Sequence, residues 1–186
     1  LMLVSAMMTS ISIAREKELG TMEVLLVSPL KPALIIAGKV IPYILLAFIN
    51  AITIILLGKF VFGMQIAGSY FLLLAVCLLF ITTALSLGIF ISTVSKGQMT
   101  AMLISFAGLM LPVILLSGFI FPVENMPLIL QWFSYIVPAK WFLIIIKSII
   151  LKGLGVTYIW KELLVLVGMT LFLIFVSAKK FKIRLE

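Results

Sequence analysis

Ile66 to Val94 reads IAGSYFLLLAVCLLFITTALSLGIFISTV, 29 residues without one Asp, Glu, Lys or Arg. Coiled as a helix at 1.5 Å per residue, this run is about 43 Å long, against about 30 Å of bilayer hydrocarbon. It predicts a membrane-spanning helix that can tilt or protrude, with Tyr70 at an interface. Three further runs have the same character. Val40 to Leu57 is just long enough to cross, Met99 to Phe121 crosses with a kink expected at Pro112, and Leu163 to Ala178 is sharply bounded by Glu162 and Lys179. Lys179 can snorkel. The opening run, Leu1 to Ala14, is too short to cross alone and reads as the end of a truncated fifth span. The expected fold is therefore all-α, a polytopic membrane helical bundle forming one transmembrane domain over residues 1–186.

Composition agrees. The chain is 65% hydrophobic and 11% charged, far from a soluble globular domain. Its 14 Lys and Arg against 6 Asp and Glu are scattered singly between apolar runs, apart from a C-terminal cluster. That pattern offers no basic face to nucleic acid, and basic residues gather in cytoplasmic loops of membrane proteins. There is no histidine, which removes His-based triads, His metal sites and imidazole relays, and the lone Cys77 lies inside a span. No phosphate-binding loop exists, because Gly38-Lys39 is followed by Val40 and Gly58-Lys59 by Phe60. None of the four spans carries an Asp, Glu, Lys, Arg or His, whereas proton-driven carriers place acids or histidines there. Sodium coupling at a break such as Pro112 stays open. The expectation is a non-enzymatic chain, without cofactor or metal of its own, that takes its energy from outside the bilayer.

With the C-terminus in the cytoplasm, nine cations fall inside: Arg15, Lys17, Lys31, Lys39, Lys96, Lys179, Lys180, Lys182 and Arg184. The other five, Lys59, Lys140, Lys147, Lys152 and Lys161, fall outside, which favours this orientation. The outer segment, 122–161, holds two short helical stretches. Pro127 to Val137 is apolar, with Gln131 and Ser134 three apart, and stops at Pro138. Ala139 to Leu151 carries Lys140 and Lys147 on one face, and is too short and too charged to cross. A re-entrant or surface-lying helix is expected there, followed by a turn at Lys152-Gly153-Leu154-Gly155. Ala84, Gly88 and Ser92, four apart, predict a closely packed helix face.

Within the region 15–31, Ala14 to Leu30 reads AREKELGTMEVLLVSPL. It has alternating charges, a break at Gly20, Thr21 as a helix cap, Glu23 in the first turn and a stop at Pro29. The residues alone leave two readings open: an interfacial turn between spans, or a docking helix for a cytoplasmic partner.

The same stretch resembles the cytoplasmic signature of the type-2 ABC transporter permeases, in which charges, Gly-Thr-Met-Glu and a Leu-Leu pair before Pro form the helix that contacts the ATPase. LSGFIFPVENMP from Leu116, SYIVPAKWFL from Ser134 and LKGLG from Leu151 resemble the family's outer segment. The multidrug-type inner-membrane permeases are the most similar subgroup, and the order of elements agrees along essentially the whole chain. Members of the family carry a further span and an external domain ahead of the first residues here. The resemblance implies a coupling role for Arg15, Glu16, Glu18, Gly20, Thr21, Glu23, Leu25, Leu26 and Pro29. It implies an outer exit-gate role for Pro122, Glu124, Pro127, Pro138 and Trp141. It also implies ABC ATPase subunits that bind the ATP, a second permease copy or paralogue, and a place in the bacterial inner membrane. Three functions follow from this reading: an export permease for a drug, lipid or glycan; an ATPase-linked scaffold that moves no solute; and an ion-coupled carrier.

Overall fold

The computed structural model describes residues 1–20, 32–120 and 122–183, and those residues form a polytopic helical membrane bundle without a strand. The helices are α1 (Met2–Glu18), α2 (Pro32–Phe60), α3 (Tyr70–Val94), α4 (Gln98–Leu116), α5 (Leu128–Ile136), α6 (Pro138–Lys152) and α7 (Val156–Ile183). A single 3-10 turn, Val123–Asn125, lies between α4 and α5. Four helices are long and apolar enough to cross a membrane: Ala37–Phe60 of α2, α3, α4 and Val156–Ser177 of α7.

Several boundaries differ from the sequence expectation. The second helix begins at Pro32 rather than Val40, because Lys39, which ended the apolar run, is paired with Glu16 and accommodated within the helix. The stretch from Ile66 to Ser69 is not helical: Ala67 N–H donates to the Ile150 carbonyl at 3.1 Å, so this segment is held along the end of α6. The fourth helix stops at Leu116, and Gly118, at φ +79°, turns the chain where no residue with a side chain sits comfortably. Helix α4 runs through Pro112 without ending there. The last helix runs from Val156 to Ile183, so neither Glu162 nor Lys179 bounds it, and Lys161 is exposed on its second turn.

Helix α3 is the hub, in contact with α1, α2, α4, α6 and α7. Its predicted small-residue face meets α1: a Cβ on Gly88 would lie 2.5 Å from the Ala6 carbonyl oxygen, so only glycine permits this approach. Ala84 and Ser92 on the same face are fully buried. Hydroxyls join helices where lipid offers no partner. Ser10 of α1 meets Ser105 of α4 at 2.7 Å, and Thr83 of α3 meets Thr170 of α7 at 2.6 Å.

Helices α5 and α6 are bent by 83° about Val137. Of the two helices, α6 is the one packed into the bundle. Ile145 and Ile149 are fully buried, and the Phe142 ring stacks on Phe80 of α3 with centroids 3.7 Å apart. The hairpin is re-entrant in form, with α6 inserted against α3 and α7.

Candidate functional site

Charged residues are concentrated at two ends of the bundle, and the ends differ in how those charges are met. At the first, α1 terminates in Arg-Glu-Lys-Glu, and Gly20, at φ +70°, closes the helix in the left-handed conformation usual after a C-cap. Three consecutive side chains there reach three different helices. Glu16 pairs with Lys39 of α2. Lys17 donates to the Ser92 carbonyl in the last turn of α3. Glu18 accepts from the backbone N–H of Gln98, first residue of α4, at 2.8 Å. The last two contacts follow from helix electrostatics: the C-terminal carbonyls of α3 are partially negative and the N-terminal amides of α4 partially positive, and each receives the complementary charge. The tight Ser95-Lys96-Gly97 connection sets those two helix ends side by side.

Of the residues assigned to coupling, Glu16 and Glu18 are thus brought together in this knot, while Arg15 is exposed beside it. Gly20 lies at its exit. Thr21, Glu23, Leu25, Leu26 and Pro29 lie outside the described residues. Lys17, Lys39 and Gln98 were not singled out by sequence reasoning. Helix-end complementarity was the available signal, but it required knowing which helix ends are neighbours.

At the opposite end, α4, the 3-10 turn, α5 and α6 enclose a cavity of about 410 Å³. Pro122 caps the 3-10 turn, Pro127 caps α5 and Pro138 is the first residue of α6, so these prolines serve as start signals for short elements. Glu124 is exposed at the cavity rim. The Trp141 indole N–H donates to the Tyr135 carbonyl at 3.0 Å and so braces the α5–α6 corner. Of the residues expected at an outer gate, Pro122 and Glu124 line the cavity; Pro127, Pro138 and Trp141 shape its walls from outside.

The strongest polar group here was read only as part of a charged helix face. Lys140 is 6% exposed, donates to Ser134 Oγ at 2.9 Å, and places its ammonium 3.4 Å from the centroid of the Tyr135 ring. Ser134 in turn donates to the Gln131 carbonyl at 2.7 Å. The seven-residue spacing of Lys140 and Lys147 does place both on this cavity. Ser117 and Leu143 also face an apolar space between α2, α3, α4 and α6 that reaches Leu1 and Met2, the first residues of the sequence. No group of three or more His, Cys, Asp or Glu that could hold a metal occurs among the described residues.

The family model for the ABC-2 type transporter matches residues 1–151. The probable multidrug ABC transporter permease YbhS of Escherichia coli (strain K12) is 35% identical over 150 residues, 81% of this chain and 40% of the relative. The probable multidrug ABC transporter permease YbhR of the same strain is 37% identical over 155 residues, 83% and 42% respectively. The inner membrane transport permease YhhJ of that strain is 30% identical over 169 residues, 89% and 44%. The chain thus spans about two fifths of the length of these curated relatives. No solved structure matches.

Proposed function

We infer that this chain, which belongs to the ABC-2 type transporter family, is the membrane-spanning permease of an ATP-binding-cassette exporter in a bacterial inner membrane. ATP is bound and hydrolysed by ATPase subunits on other chains, and a second permease copy or paralogue completes the path. The substrate is an amphipathic drug, lipid or glycan. Relatives named as multidrug and inner-membrane permeases support this reading, as does the nine-to-five cation balance, which favours a cytoplasmic C-terminus and α1 terminus.

The observation that carries it is the knot at Glu16, Lys17 and Glu18. A docking segment after Gly20 is useful to a transporter only if displacement there moves the spans. Those three residues attach the end of α1 to α2, α3 and α4 at once, so force applied just beyond Gly20 reaches all of them.

Two variants separate docking from transmission. Glu23→Lys is expected to insert normally but to lower both co-purification of the ATPase and substrate-stimulated ATP hydrolysis, since an unpaired charge at such a contact costs about 2 to 5 kcal/mol. Glu18→Gln is expected to retain the ATPase while losing stimulation, because it loosens the tie to α4 without touching the docking segment. If Glu23→Lys keeps full coupling, the segment is an interfacial turn and the ATPase-driven reading fails, as an exposed first-turn acid contributes only about 0.3 to 1 kcal/mol.

A further inference from the structure

We propose that α5 is a lid over the cavity it forms with α4 and α6, and that Lys140 is the catch that holds this lid against the bundle. The proposal goes beyond the export reading and stands on how α5 is held, whatever molecule the protein moves.

Seven of the nine residues of α5 are exposed and Gln131 is half-buried, so Ser134 is the one residue of this helix that is buried. Ile129, Trp132 and Ile136 are each more than two-thirds exposed. Apolar burial therefore does little to hold α5, and against lipid it would do little in any case, because hydrocarbon is as apolar as leucine. Polar ties decide where the helix rests. Ser134 Oγ accepts from the Lys140 ammonium at 2.9 Å, and the same ammonium lies 3.4 Å from the centroid of the Tyr135 ring. Lys140 is itself buried, so both contacts are shielded from water and each is stronger for it. One side chain of α6 thus grips two consecutive residues of α5.

The grip is placed where a catch has to be. Ile145, Ile149 and the Phe142–Phe80 stack fix α6 in the bundle, so α6 is the frame and α5 the part that can move. The two helices meet at Val137, a single extended residue at φ −83° and ψ 114° at the centre of the 83° bend. Lids turn about such terminal positions. The Trp141 indole N–H, bonded to the Tyr135 carbonyl at 3.0 Å, adds a second tie from the same turn of α6. At its other end α5 carries the 3-10 turn with it, because Gln131 Nε2 donates to the Met126 carbonyl at 2.9 Å. Release of Lys140 therefore frees α5 and the 3-10 turn as one body and uncovers the cavity of about 410 Å³ that Val123, Gln131 and Tyr135 help to wall. A lysine suits this task. The ammonium needs an acceptor while the lid is shut and regains water when it opens, so the two positions exchange one set of partners for another.

The test is a distance measurement by pulsed electron spin resonance on the full chain, purified in a neutral maltoside detergent and diluted with unlabelled chain so that distances within one copy are read. In a C77A background, nitroxides attached through I129C and L151C report α5 against the far end of α6. A second pair, through V94C and L151C, reports α6 against α3; all three positions are exposed. With Lys140 in place the first pair is expected to give a single narrow distance. K140M is expected to raise the ratio of open to closed lids at least about tenfold, the weight of a hydrogen bond from a charged donor, and so to bring out a second distance. S134A is expected to raise it less, since the Tyr135 face remains, and K140M/S134A to add nothing to K140M, since both remove the same bond. An unchanged first distance in K140M overturns the proposal, because some other contact then holds α5. A shift of the second pair in K140M overturns it too, because Lys140 would then steady α6 itself. So does full additivity in the double variant. If K140M does not purify as a folded protein, S134A decides, since it removes a single hydroxyl; an unchanged first distance in S134A then overturns the proposal. With no ATPase, nucleotide or substrate present, failure here leaves the export reading intact, and failure of the Glu23→Lys test leaves this one intact.

Discussion

Helices α2 and α3 are almost equally apolar over their spans, yet more than half of the α3 span is buried in protein and almost none of the α2 span. In water two equally apolar helices would compete equally for the core. In a bilayer the lipid is as apolar as leucine, so hydropathy decides that a helix crosses and says nothing of what it touches. The difference lies in residue size and hydroxyls. Buried positions of α3 include Thr83, Ala84, Ser86, Gly88 and Ser92, while α2 presents Ile41, Leu45, Leu46 and Ile49 outward. Paired substitutions, one on each helix, break or sharpen this contrast.

The widest gap is expected from truncating one large aliphatic residue on each. Ile81 is 0% exposed at the centre of α3 and Leu46 is 63% exposed on α2. Ile81→Ala leaves a cavity that neighbouring helices cannot fill and is expected to cost about 2 to 5 kcal/mol. Leu46→Ala exchanges side chain for lipid and is expected to change stability by less than about 0.5 kcal/mol. Reversible unfolding in mixed micelles measures both. A large loss at Leu46 would show that a protein surface, such as the second permease copy, covers α2 there.

A smaller gap, but one that changes sign, is expected for glycine to alanine. The added methyl at Gly88 meets the Ala6 carbonyl at 2.5 Å and must push α1 away, expected to cost about 2 kcal/mol. At Gly38 of α2 nothing among the described residues lies within 4 Å of that methyl, and the helix-propensity gain is expected to stabilise by up to about 1 kcal/mol. Equal effects at the two sites would mean that α1 and α3 are not in the close contact described.

The spans were legible because a long uncharged run has only one economical destination, and the close α3 face because Ala84, Gly88 and Ser92 recur at helical spacing. Helix ends were legible less well. Lys39, Glu162 and Lys179 looked like boundaries but sit within helices, since a charged residue near an interface can be paired or reach water without ending the backbone hydrogen bonding. The orientation of α6 was half legible: its length forbade a crossing, but its insertion against α3 depends on Phe80, 62 residues away from Phe142. At the candidate sites, the sequence named Glu16 and Glu18 but not Lys17 or Gln98, because their partners are termini of other helices. Lys140 was visible as a cation; its burial and its lack of a carboxylate are properties of the α5–α6 bend.

The finest test concerns hydroxyls, where packing is nearly held constant. Thr83 of α3 and Thr53 of α2 both place the hydroxyl 2.9 Å from a carbonyl four residues back. What differs is the second partner: Thr83 also meets the Thr170 hydroxyl of α7 at 2.6 Å, whereas the Thr53 bond stays within its own helix. Valine is nearly the same size as threonine and lacks only the hydroxyl. At Thr83 the change is expected to cost about 0.6 to 1.7 kcal/mol, the range of interhelical hydrogen bonds in membranes, because the α3–α7 link is lost. The loss is held down because the Thr170 hydroxyl, once Thr83 is gone, still has the Leu166 carbonyl at 2.8 Å to receive its proton. Thr53→Val is expected to be neutral within about 0.5 kcal/mol. The decisive variant combines Thr83→Val with Thr170→Val. If the link is what matters, the second substitution adds little to the first, and a double-mutant cycle returns a coupling close to the single-mutant cost. Full additivity would show that the two hydroxyls act separately, and that α3 is distinguished from α2 by the size of its residues alone.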